Sequence, residues 1–138
     1  MQSNKFWAAV SKTLAALAVT LILVLMLAPV AGAGKFKTLY KFKGGADGAY
    51  LGAGLIFDPA GNLYSTTNLG GAYGYGTVFQ LTPNGDGSWT ESVLHSFNGA
   101  DGSTPLSASL IFDQSGRLYG TTNQGGAYGY GTVYQITP

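Results

Sequence analysis

Leu55–Pro83 and Leu110–Pro138 are two copies of one segment. "LIFDPAGNLYSTTNLGGAYGYGTVFQLTP" lies over "LIFDQSGRLYGTTNQGGAYGYGTVYQITP" at an offset of 55 residues, and 22 of the 29 positions are identical. The correspondence continues upstream. Leu39 and Phe42 fall on Leu94 and Phe97, and "GADG" at Gly45–Gly48 returns at Gly99–Gly102, where the offset is 54. That slip marks a loop that tolerates a change of length. The two copies, residues 34–83 and 84–138, fill everything after an apolar leader. A chain copied in this way has to repeat one supersecondary unit, and a period of this size points to propeller blades, solenoids or arrays.

Each copy reads as about four short antiparallel strands. The first is "TLYKF" (Thr38–Phe42) or "SVLHSF" (Ser92–Phe97), the second ends in "LIFD", the third is "LYSTT" or "LYGTT", and the fourth is "GTVFQL" or "GTVYQI". Branched and aromatic residues fill these runs, and Gly, Asn, Asp and Pro separate them. Neighbours such as Ile56 and Phe57, or Val78 and Phe79, point to opposite faces, so both faces of the sheet are apolar. The fold class expected is all-β, with two blades of a partial β-propeller behind an N-terminal hydrophobic helix. A propeller closes with about four to eight blades. The partners expected are therefore further repeats or other copies of the chain.

Two loops carry mechanisms. In Asp58-Pro59-Ala60-Gly61, Asp58 suits the first position of a type I turn, Pro59 fixes φ at the second, and Gly61 takes the positive φ that follows. Asp113-Gln114-Ser115-Gly116 keeps the aspartate and the glycine, the two positions the turn most requires. "GGAYGYGTV" occurs unchanged at Gly70–Val78 and Gly125–Val133. Its glycines suit a tight entry into the fourth strand. Tyr73 and Tyr75, with Tyr128 and Tyr130, bracket a glycine and point to one side of an extended stretch. Two readings stand for them: a ridge packed on the neighbouring copy, or an exposed shelf for a ligand.

The motif D-x-x-G-x-L-Y, then T-T, G-G, Y-G-x-G-T-V-[FY] and T-P in fixed order resembles the unit of the GloVer tandem-repeat proteins, a family of exported bacterial proteins with a choice of anchors. The resemblance covers both copies. It implies an extracellular, β-rich, propeller-like array of several repeats. The family has no established catalytic residues, so the resemblance carries none over.

The leader supports export independently. Lys5 and Lys12 give a basic start, and no residue from Thr13 to Gly34 is charged. Ala31 and Ala33 form an A-x-A pattern that predicts cleavage after Ala33. The alternative is a membrane anchor over residues 13–34, since about 20 apolar residues suffice to span. Residues 1–33 are thus a signal peptide or an anchor, and the membrane is met only there.

Composition narrows the chemistry. Formal net charge is +1, which offers no field for nucleic acid. There is no cysteine, hence no disulfide, thiolate metal site or cysteine nucleophile. His95, the only histidine, aligns with Tyr40, so the repeat does not demand it. Asp47 and Asp101, like Asp58 and Asp113, are turn residues whose spacing comes from the copying. "NGDGS" (Asn84–Ser88) opens like a calcium loop but places Trp89 where glycine is needed and His95 where glutamate is. No catalytic residue, metal or cofactor is expected. The expected role is an exported structural or interaction module. The alternative is a carbohydrate-binding module whose tyrosines stack on sugar rings, with an enzyme sited on other repeats a third reading.

Overall fold

The computed structural model describes residues 34–106 and 109–138. The chain divides into two compact units, Met1–Phe36 and Lys37–Pro138. The leader expected over residues 1–33, and its helix, fall outside the described residues.

The second unit is built of strands. In chain order they are β1 (Ala49–Leu51), β2 (Ile56–Phe57), β3 (Leu63–Leu69), β4 (Thr77–Pro83), β5 (Trp89–Ser96), β6 (Ile111–Phe112), β7 (Leu118–Thr121) and β8 (Val133–Ile136). They form two antiparallel sheets. The first runs β1-β3-β4-β5, with β2 also paired to β3, and the second runs β6-β7-β8. Among the described residues the sheets do not join into a closed ring. The expectation of an all-β, antiparallel repeat therefore holds.

The expected grouping of strands does not. Copies and sheets are out of step by one strand. The strand that opens the second copy, β5, closes the sheet of the first copy along a ladder from Thr77↔Ser96 to Pro83↔Trp89. The physical reason is that Asn84–Ser88 makes a tight hairpin. Asn84 N–H donates to Ser88 O at 2.9 Å and Gly87 N–H to Asn84 O at 3.0 Å, so β5 returns directly onto β4. A bulge at Leu94, where pairing shifts between Val78↔His95 and Phe79↔Val93, adds local twist. Thr38–Phe42, expected as the first strand of the first copy, is not a strand. Its Tyr40 and Phe42 instead pack on Leu63, Phe79 and Leu81.

Alternation along the strands makes two cores. Leu63, Phe79 and Leu81 face one side of the first sheet. Tyr64 and Val78 face the other, and join Phe97, Leu110 and Leu118 of the second copy in a shared interior. Phe112 meets Tyr64 edge-on at 5.1 Å and Phe97 meets Tyr134 at 5.1 Å. Phe42 meets Phe79 in the same way at 4.9 Å. Phe42 and Phe97 thus do the same work within their own copies, and Phe97 has in addition the first sheet above it.

The repeated loops are fixed by backbone contact. Gly70, Gly71, Gly74 and Gly76 have φ of 79°, 79°, 84° and 97°, and their counterparts in the second copy have 77°, 77°, 80° and 93°. Only glycine takes such angles without strain. Space matters as much at two of them. A Cβ on Gly70 would stand 2.7 Å from Gly48 Cα, and one on Gly76 would strike Thr67 O. "GADG" docks on "GGAYGYG" within each copy: Gly71 N–H donates to Gly45 O at 3.0 Å, and Gly126 N–H to Gly99 O at 2.9 Å. Identity between the copies follows from these contacts.

Phe97 is 1 % exposed. Phe97→Ala is expected to cost about 3–5 kcal/mol, as truncation of a fully buried phenylalanine does. Phe42→Ala, cut from a half-covered site, is expected to cost clearly less. Denaturant unfolding of the two full-length variants checks this, and equal losses would contradict the shared interior.

Candidate functional site

Three places bring chemistry-bearing side chains together. The first is a groove of about 690 Å³ where the two Asp-x-x-Gly hairpins meet, lined by Asp58, Tyr64, Gln80, Asp113 and others. Both turns form as their sequence requires. Gly61 N–H donates to Asp58 O and Gly116 N–H to Asp113 O, each at 3.1 Å. Gly61 and Gly116 have φ of 87° and 77°. The aspartate reaches further than a turn alone demands. Asp58 Oδ1 accepts from Asn62 N–H at 2.8 Å, and Asp113 Oδ1 from Arg117 N–H at 3.0 Å.

The outer oxygen of each carboxylate ties the turn to the third strand of its copy. Asp58 Oδ2 accepts from Asn62 Nδ2 at 2.7 Å and from the Tyr64 hydroxyl at 3.0 Å. Asp113 Oδ2 accepts from Arg117 Nε at 2.8 Å and from the Tyr119 hydroxyl at 3.0 Å. Gln80 Nε2 donates in turn to Tyr64 Oη at 2.9 Å. Burial alone would raise the Asp58 carboxyl, but Asn62 and Tyr64 outweigh it and hold it below the usual carboxylate range. The Arg117 N–H leads the influences that bring Asp113 down to about 2. Burial and the neighbouring Asp58 push Tyr64 up to about 12. Both carboxylates are therefore ionised acceptors whose donors come from their own turn and the strand that follows it. Neither has a proton to give at neutral pH, which general acid catalysis needs.

The second place is His95 and Asp101. Nε2 of His95 lies 2.8 Å from Asp101 Oδ2, and the ring stands edge-on to Phe97 at 4.9 Å. Its counterpart contact exists in the first copy, where the Tyr40 hydroxyl donates to Asp47 Oδ2 at 3.2 Å. Histidine here substitutes for tyrosine as the partner of a turn aspartate. Alignment places His95 on Tyr40, but only the fold shows that each reaches the turn carboxylate of its own copy.

The third place is the tyrosine loop. Tyr73 and Tyr75 are 63 % and 48 % exposed, Tyr128 and Tyr130 88 % and 90 %. The lower value for Tyr75 has a cause: its ring stands 3.6 Å from where a Cβ on Gly99 would be, so it covers the "GADG" turn of the following copy. Tyr75 O also accepts from Thr104 N–H at 3.0 Å. Thr104 and its counterpart Tyr50 have φ of 46° and 57°. Positive φ is strained for side chains of this kind, and the sequence gives no sign of it.

Sequence reasoning also missed the buried threonines. Thr67 Oγ1 lies 2.8 Å from Thr77 Oγ1, and Thr122 Oγ1 lies 3.0 Å from Thr132 Oγ1. The second threonine of T-T thus pairs with the threonine of G-T-V in each copy. Thr66 Oγ1 donates across the copies to Pro105 O at 2.9 Å. Around "NGDGS", Asp86 Oδ1 already accepts from Ser88 N–H at 2.8 Å and Ser88 Oγ at 2.6 Å. Among the described residues no group of three or more His, Cys, Asp or Glu is placed to hold a metal ion.

Because the Asp113 carboxyl is lowered in the fold, the stability it adds is complete above its unfolded pKa near 3.8 and is lost as pH falls toward about 2. Asp113→Asn places an amide donor against Arg117 or Tyr119. The variant is expected to melt below the parent chain at pH 7, with the gap closing between pH 4 and pH 2. A gap independent of pH, read by thermal melts across that range, would contradict the assignment.

No curated protein matches this sequence. The sequence does match a family model: the Gloeobacter/Verrucomicrobia repeat, over residues 24–138. The chain belongs to the Gloeobacter/Verrucomicrobia repeat family.

Proposed function

We propose that this chain is an exported structural module whose sheets stack as blades of a propeller-like array outside the cell and present the tyrosine loops to partners. One observation carries the reading. The two sheets share an interior in which Val78, Phe97, Leu110 and Leu118 are each 1 % exposed or less. Copies that bury residues against their neighbours are units of an array rather than beads on a string. Export rests on the basic, then apolar, leader with its A-x-A pattern. The ionised, internally satisfied aspartates favour a scaffold over an enzyme.

A carbohydrate-binding role is supported by a separate observation, the largely exposed rings of Tyr73, Tyr128 and Tyr130. Amphipathic rings of this kind stack on sugars while their hydroxyls stay hydrated.

Protease added to intact cells tests the first reading: digestion of the repeat part is expected, and protection until lysis would overturn a place outside the cell. Migration through polysaccharide-loaded gels tests the second. It requires retardation of the parent chain and its loss in Tyr73→Ala/Tyr128→Ala, with stability unchanged to within about 0.5 kcal/mol because both rings are open to solvent. A parent chain that migrates alike with and without polysaccharide sinks the glycan reading.

A further inference from the structure

The two copies are nearly identical in sequence but unequal in burial, and the inequality falls on two opposite surfaces. Val78 is fully buried in the shared interior and Ile56 packs against it, whereas their counterparts Val133 and Ile111 are 80 % and 63 % exposed. These two line a shallow apolar depression with Tyr119. On the other surface, Leu110 is 1 % exposed and Phe112 packs on Tyr64, whereas their counterparts Leu55 and Phe57 are 53 % and 66 % exposed. One surface is the back of the second sheet and the other is the front of the first. Each is half of the interface that the molecule already makes once.

The strand ladder shows the same asymmetry. β4 lies between β3 and β5, whereas β8 pairs only with β7 among the described residues. The counterpart of the strand that covers β4 is Thr38–Phe42. That segment already sits as β5 does relative to its own copy, with Phe42 on Phe79 as Phe97 is on Tyr134. The joint between the copies also uses Phe97 N–H, which donates to Gly76 O at 3.0 Å. The corresponding donor and acceptor are Phe42 N–H and Gly131 O, at opposite ends of the unit.

From these halves we infer that copies of this chain join head to tail. The β8 edge of one copy takes Thr38–Phe42 of a second copy as its outer strand. Leu55 and Phe57 of that second copy cover Val133, Ile111 and Tyr119 of the first. The inference rests on the stacking reading above and names the partner that completes it. The partner is a second copy because the surface it must offer is already on this chain, in the register that Leu110, Phe112 and β5 demonstrate. Two copies joined at both ends bring four sheets, the lower end of the range over which propellers close.

The absence of cysteine makes disulfide trapping clean. Gln80 stands opposite Ser92 in the β4–β5 ladder, and the corresponding pair is Gln135 with Lys37 of the second copy. Directly opposed strand residues have Cα separations of about 4.5–5.5 Å, within disulfide range. Lys37→Cys and a size-tagged Gln135→Cys are mixed as full-length chains in detergent and oxidised mildly. The mixed disulfide is expected to exceed either homodimer by about fivefold or more, where random collision gives only twofold. Lys37→Cys mixed with tagged Ser115→Cys, away from the edge, is expected to show the random ratio. Random ratios or no disulfide at the edge pair would overturn the inference. Gln80→Cys/Ser92→Cys in one chain separates the two levels. Its internal disulfide shows that the stacking offset stands whatever the edge pair does, and its absence overturns the offset and the head-to-tail joint together.

Discussion

Everything in this unit depends on the ladder between β4 and β5. It runs from Thr77↔Ser96 to Pro83↔Trp89 and joins a strand of one copy to a strand of the next. Had β5 stayed with its own copy, the copies would be separate sheets linked by a hairpin. Because it crosses, Phe97 at its end is carried under the first sheet and into the interior of the second. Backbone hydrogen bonds and apolar burial then act on the same residues, so neither sheet can leave without breaking both. A chain without cysteine has few other ways to hold repeats together.

Around that ladder the repeated loops act as spacers of fixed shape. "GGAYGYG" turns through positive φ at its glycines and receives the "GADG" turn against its backbone. The threonine pairs Thr67–Thr77 and Thr122–Thr132 join hydroxyls directly beside those glycines, buried in the first copy and part-buried in the second. A side chain larger than hydrogen at Gly76 or Gly131 would strike the carbonyl of the paired threonine. Sequence identity in this loop therefore reports close packing of backbone on backbone. The tyrosines inside the same loop are the part that varies in burial, from 48 % exposure where a following copy lies beneath to 90 % where none does among the described residues.

Much of this was legible in the residues. The strands β3, β4, β7 and β8 fall where branched and aromatic runs predict them, and the Asp58 and Asp113 turns form as their Asp-x-x-Gly spacing requires. Those features are local. The one-strand offset is not, because "SVLHSF" looks the same whether it pairs forward or backward along the chain. Thr38–Phe42 carries an equally good strand pattern and is not a strand, since it has no sheet edge beside it among the described residues. The candidate sites divide in the same way. The turn carboxylates were visible as turns. Their reach to Tyr64 and Tyr119, the equivalence of His95 with Tyr40, and the positive φ of Tyr50 and Thr104 arise from tertiary contacts that no spacing encodes.

Hydrogen exchange resolved by peptide, on the full-length chain, tests the offset most directly. Amides of β5 are expected to exchange slowly and to lose protection together with those of β4, while Thr38–Phe42 exchanges fast where the chain is dilute enough to be a monomer. Protection of Thr38–Phe42 in step with β4, with β5 opening independently, would contradict the account.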